Sequence, residues 1–166
     1  MADAGLLGAD DRVELVEGEI IDMAPIGSRN AACVDRLNRL FTTRLSEQVA
    51  VRVQSPVRLS DLSEPQPDLA LLRHRPDFYA GAHPGPGDVL LVVEVADTTL
   101  AWDRDVKVPL YGRAGVGEVW IVDLTAEVVD ILKGPGTQGY DDIHQARRGE
   151  SLQIAGITVA VDEILG

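Results

Sequence analysis

Cysteine is almost absent from this chain of 166 residues, where Cys33 stands alone. A single thiol forms no internal disulfide and no Cys-rich zinc site, which fits a reducing compartment. Long apolar runs are missing as well: none approaches the roughly 20 residues needed to span a bilayer. The N-terminal stretch MADAGLLGADDRVE lacks the basic and apolar regions of a signal peptide, so the expected location is cytoplasmic and no membrane partner is expected. His74, His83 and His144 are scattered, without the spacing of a His-based metal motif. No nucleophile-elbow, Walker or dinucleotide-binding glycine pattern occurs. Positive charge is scarce: 15 Lys and Arg face 27 Asp and Glu, a net −12, which argues against a generic nucleic-acid binder with a basic surface.

What is present suits one globular domain. Hydrophobic residues make up 45% of the chain and charged residues 25%, close to the globular average, and a chain of this length buries enough surface to need no staple. The expected organisation is an N-terminal tail over residues 1–11 and a single domain over 12–166. Arg12–Val16 and Glu19–Met23, separated by Glu17-Gly18, read as a β-hairpin. Ser28 is placed to N-cap a helix over about residues 29–47. On it Val34, Leu37, Phe41 and Leu45 share one face, while Arg29, Arg36, Arg39 and Arg44 share a neighbouring one. Those arginines form either a solvated face or a local phosphate-facing patch. Val49–Leu59 reads as a strand that Pro56 assigns to an edge or a bulge. Pro67–Leu72 is a further strand, and residues 73–87 are a Pro- and Gly-rich loop. Asp88–Ala96, DVLLVVEVA, is the most apolar run and reads as a central strand covered on both faces. A second helix over about 100–113, strands Glu118–Leu124 and Glu127–Leu132, and a last hairpin around Ala155-Gly156 complete the order. The expected class is α/β or α+β, a mixed sheet flanked by helices with an N-terminal hairpin.

Several acids stand where acids are costly. Glu94 lies inside the central strand, and burying an ionised carboxylate costs several kcal/mol unless it is compensated. It must sit at a strand end, be paired, or bind a metal. Asp68 follows Pro67 where the chain enters another strand. Two carboxylates converging from adjacent strands suit Mg²⁺, which takes one or two carboxylates and completes its shell with water and phosphate. Lys107, on the helix after the Glu94 strand, could reach them, or could pair with Asp103 one turn earlier. Glu19, after Gly18, could approach from the flank or remain an exposed hairpin carboxylate.

The stretches VELVEGEIIDMAP, EPQPDLALL, DVLLVVEVADTTLAWDRDVKVPLYGRAGVGEVWIVDL and GPGTQGY resemble the Uma family (Uma-two) of restriction endonucleases, within the PD-(D/E)XK nuclease superfamily, over about residues 12–140. The resemblance implies a restriction-endonuclease-like mixed sheet of about five core strands with the site at one end. It also implies Mg²⁺-dependent, or Mn²⁺-dependent, hydrolysis of DNA phosphodiester bonds. Carried onto this sequence, Asp68 and Glu94 match the two metal-holding acids, Lys107 the lysine displaced onto the following helix, and Glu19 the early acid. Ala96 stands where the superfamily often has its lysine, and Asn30 near the place of an early histidine. Asn30, Arg29, Arg36 and Asp103 are the remaining candidates for supporting the site or touching substrate. A homodimer is expected from apolar edge strands. A catalytically idle fold module, or hydrolysis of a smaller phosphate ester, is the alternative.

The charge deficit is uneven. Residues 1–23 carry seven acids against Arg12, half of the net −12, while residues 29–44 carry four arginines against Asp35. The total therefore does not exclude a polyanionic substrate, but it implies weak, salt-sensitive binding.

Overall fold

The computed structural model describes residues 10–166, so most of the expected tail at 1–11 lies outside the described residues. The chain runs β1 (Val13–Val16), β2 (Glu19–Asp22), α1 (Ser28–Arg44), β3 (Val49–Val53), β4 (Leu69–Arg73) and β5 (Val89–Ala96). It continues with α2 (Leu100–Trp102), a π-helical stretch (Asp103–Lys107), α3 (Val108–Ala114), β6 (Glu118–Asp123), β7 (Val128–Gly136) and β8 (Gly139–Arg147). The hairpin β9 (Ser151–Ile154) and β10 (Ile157–Ala160) leads into α4 (Val161–Leu165). No helix among the described residues is long and apolar enough to cross a membrane.

Six strands form one mixed sheet in the order β3-β4-β5-β6-β7-β8. Only β5 and β6 run parallel, joined by the α2–α3 crossover. The apolar run β5 is central, as its composition predicts. Its alternate residues go to two cores. Leu91, Val93 and Val95 pack with Leu37 and Phe41 of α1 and with Leu152, Val159 and Ile164 of the C-terminal hairpin and helix. Val92 and Ala96 pack with Val108 and Tyr111 of α3 and with Val119 and Ile121. The sheet is therefore covered on both faces, which is why β5 can be apolar throughout. β3 is an edge strand and ends before Pro56.

Glu17 (φ 49°) and Gly18 (φ 84°) turn the first hairpin in left-handed backbone, the geometry of a two-residue turn matched to strand twist. Its far side is tied down by Glu64 N–H donating to Leu15 O (2.8 Å) and Gly18 N–H to Leu62 O (2.8 Å). Helix α1 begins at Ser28, with Gly27 rather than Ser28 in the cap position, and ends at Arg44. The second helix is not continuous: Val108 N–H reaches back to Asp103 O, a π-type bond, just before Pro109 removes a donor.

Two elements go beyond the sequence reading. β8 makes a sixth strand. It is mostly exposed, and Asp141, Asp142, His144 and Gln145 have poor strand propensity. It forms because β7 supplies a partner along nearly its full length. The other is α4, five residues held by packing of Val161 and Ile164.

Candidate active site

The antiparallel register pairs Leu69 of β4 with Val93 of β5, which sets Asp68 opposite Glu94 one step further along. Strand alternation puts Asp68 in phase with Ala70 and Leu72, and Glu94 in phase with Val92 and Ala96. That is the face covered by α3. Asp68 is fixed at the strand end by Val95 N–H, which donates to its Oδ2 at 2.7 Å.

The π-helical stretch carries Asp103 and Lys107 over that face, both buried. Lys107 Nζ lies 2.6 Å from Glu94 Oε1 and 2.7 Å from Glu14 Oε1. All three side chains are only 3–4% exposed. The expected Asp103–Lys107 pair is replaced by this double bridge, and Asp103 instead accepts the Thr99 hydroxyl at 3.0 Å. Glu94 Oε1 also accepts the phenol of fully buried Tyr111 at 2.6 Å. Glu14 Oε1 also accepts Gln66 N–H at 2.9 Å.

Glu14 and Tyr111 are the residues that sequence reasoning missed. A signal existed for Glu14: in the alternating strand VELV it is in phase with Val16, and both are buried. The same argument, an acid on the inward side of an apolar strand, singles out Glu94. Glu19, by contrast, is exposed on β2 and lies outside the cluster.

Burial dominates the electrostatics. Desolvation raises the Asp68 pKa against the Val95 hydrogen bond and the Lys107 charge. It raises Asp103 to about 6, against Lys107 and the Thr99 hydroxyl. It raises Glu94 strongly, again against Lys107, with Asp103, Asp68 and Glu14 adding to the rise. Burial alone would lower Lys107, but Glu94, Glu14 and Asp103 outweigh it and hold the ammonium charged. Two donors on Glu94 Oε1 are the surroundings of an ionised carboxylate, so desolvation is a cost the pair carries rather than a sign of a neutral acid. The cluster holds more buried acids than bases.

These groups floor a cleft of about 510 Å³ lined also by Arg12, Asn30, Asp97 and Trp102. Asn30 Nδ2 donates to Val95 O at 2.7 Å, leaving its Oδ1 buried without a partner. Arg29 stands at the rim, bound to Asp97 Oδ1 (3.0 Å) and Leu124 O (2.7 Å). Arg36 does not line the cleft; it donates to Ile164 O (3.0 Å) and Leu165 O (2.7 Å), and Arg44 pairs with Glu163. Two of the four α1 arginines thus clamp the C-terminal helix, and the arginine face does not form one phosphate-facing patch.

The donor set is suited to a hard divalent cation. Asp68 and Glu94 offer carboxylate oxygens, and the orphaned Asn30 Oδ1 offers an amide oxygen in the same cleft. No group of three Asp, Glu, His or Cys side chains poised for a metal occurs among the described residues.

A family model, Uma2, described as "Putative restriction endonuclease", matches residues 4–161. A crystal structure described as a "putative nuclease belonging to DUF820" from Anabaena variabilis ATCC 29413 superposes with a TM-score of 0.69 at 12% identity, covering 98% of this chain and 94% of that one. At that identity the likeness is one of fold. No curated protein matches the chain.

Proposed function

The chain belongs to the Uma2 family, "Putative restriction endonuclease", and from that membership we propose that it is a divalent-metal-dependent endonuclease hydrolysing DNA phosphodiester bonds at the Glu14, Asp68, Glu94 and Lys107 cluster. The observation that carries the reading is the buried lysine bridging two acids, 2.6 and 2.7 Å away, on the floor of an open cleft. Buried charges unrelated to function are usually replaceable by apolar residues at no loss of stability. Here a β-hairpin, a central strand and an interrupted helix all deliver charge to one point.

Asp68 and Glu94 would hold the metal, Mg²⁺ or Mn²⁺, with Asn30 Oδ1 in the same cleft. When bound, such an ion acidifies a water and offsets phosphate charge. The remaining roles belong to the chain. Tyr111 and Lys107 both meet the Glu94 carboxylate at Oε1, and no donor to Oε2 occurs among the described residues. Lys107 keeps its proton and presents a fixed positive charge in a water-poor site, where charge development on a phosphate is most strongly stabilised. Glu14 holds the other side of that ammonium. Pairing of two copies through the open edge of β3 or β8 is part of the same reading.

The competing reading is a catalytically idle fold module, favoured by the absence of a three-ligand metal group among the described residues. Plasmid nicking decides between them. Purified protein with Mg²⁺ or Mn²⁺ should convert supercoiled DNA to open circles, EDTA should stop it, and Asp68→Asn should reduce it at least a hundredfold. No cleavage with either metal on any DNA form would favour the idle module.

A further inference from the structure

The buried lining of the cleft is charged, but part of its more exposed lining is apolar. Met23, Pro25, Ile26 and Trp102 line it. Ile26 is 39% exposed, and Met23 and Trp102 are half-buried. The other tryptophan, Trp120, is fully buried in the core with its indole N–H on Glu118 Oε1 at 3.0 Å. Trp102 is therefore the aromatic ring a ligand in the cleft can reach.

Cations at the cleft are few. Arg12 and Lys107 face six lining acids. Lys107 is occupied by Glu14 and Glu94. Arg12 is exposed, and among the described residues its guanidinium makes only a long 3.5 Å contact, to Ala24 O, so it retains donors for an incoming phosphate.

Size and charge point the same way. About 510 Å³ falls within the range that holds one small-molecule-sized ligand, roughly 300–1,000 Å³. A duplex brings one phosphate charge per about 1.7 Å of its axis, twice that of one strand, against an acid-lined wall. Apolar and aromatic surface in the more exposed lining has nothing to gain from a sugar-phosphate backbone, but it matches the face of an unstacked base. Enzymes that need a nucleotide out of its stack take it into a pocket of this kind.

We propose that the cleft receives one unstacked nucleotide of a DNA strand, its phosphate on Arg12 and its base against Trp102, so that the substrate is single-stranded or locally unpaired DNA rather than intact duplex. The choice of DNA rests on the nuclease reading above; the single-nucleotide fit rests on the lining of the cleft.

The test uses the full chain and one oligodeoxynucleotide sequence in three forms: single strand, perfect duplex, and duplex with a two-base bulge. With Mn²⁺, the single strand and the bulge should be cut at least tenfold faster than the duplex. With Ca²⁺ in place of Mn²⁺, titration of the single strand should quench tryptophan fluorescence. Trp102→Leu should abolish the quench and weaken binding, read by anisotropy of a labelled strand, by roughly 5- to 150-fold. Arg12→Gln, an exposed change with little folding risk, should weaken binding and reduce the salt slope by roughly 0.7. Equal rates on duplex and single strand, or unchanged affinity in both variants, overturns the proposal. Quenching and variant effects without cleavage by any metal would remove the nuclease reading and leave the nucleotide site standing. Cleavage without quenching would do the reverse.

Discussion

Replacing Lys107 by Met removes the ammonium between Glu14 and Glu94 while keeping most of the side chain's volume. Both acids are 3–4% exposed and lie within 2.7 Å of Nζ, so neither can turn to water. Removing one partner of a buried pair costs about 3–5 kcal/mol because the other charge is left uncompensated. That is a large share of a typical unfolding free energy of about 5–15 kcal/mol. For a chain of this size it corresponds to a fall in Tm of about 6–20 °C, at roughly 2–4 °C per kcal/mol. Urea unfolding in EDTA, followed by circular dichroism, reads the change directly. Lys107→Met with Glu94→Gln should regain about half of the loss. Adding Glu14→Gln should regain most of the rest, since the amide oxygen of Glu94→Gln still accepts from the Tyr111 hydroxyl and that of Glu14→Gln from Gln66 N–H. The deficit of the single variant should also shrink as pH falls, because burial makes the stranded Glu94 bind its proton more tightly folded than unfolded. A Lys107→Met protein within about 1 kcal/mol of the parent, or a double variant weaker than the single, would refute the reasoning.

Three further outcomes are expected. Burial raises the folded-state pKa of Asp103 from 3.8 to about 6, so its ionisation destabilises the fold as pH rises through that window and the cost is complete above it. Asp103→Asn should therefore gain up to about 3 kcal/mol at pH 8 in EDTA, with the gain vanishing near pH 4 in denaturant titrations. Glu14→Gln should lower cleavage at least tenfold whereas Glu19→Gln should leave both cleavage and Tm unchanged, which a paired plasmid assay and melting curve will check. At Gly112 a Cβ would stand 2.5 Å from Gly139 O, so Gly112→Ala should cost about 1–3 kcal/mol by overpacking α3 against β8, seen as a lower urea midpoint.

Much of this was legible because burial imposes period. The run VLLVVEVA reads as a strand covered on both sides, and an acid inside it, Glu94, had to be compensated. Pro67-Asp68 and the strand after it could be placed beside it for the same reason. What stayed hidden has equally physical causes. β8 is an exposed edge whose Asp, His and Gln residues carry no strand signal, and its partner β7 stabilises it. Four Arg side chains share one helix face by period, yet Arg36 and Arg44 find their partners in residues 163–165, more than a hundred positions away, which no local pattern encodes. Glu14 was readable from its strand parity. Glu19, which follows the turn glycine, is exposed on β2.

The most direct test of the account is the cleavage rate of Glu94→Gln. The change removes a charge and leaves the shape and the Tyr111 hydrogen bond in place. With Mg²⁺ or Mn²⁺ and a parent enzyme that nicks DNA, the folded variant should be slower by at least a hundredfold. A folded Glu94→Gln protein that cuts at the parental rate would contradict the assignment of this cluster as the active site.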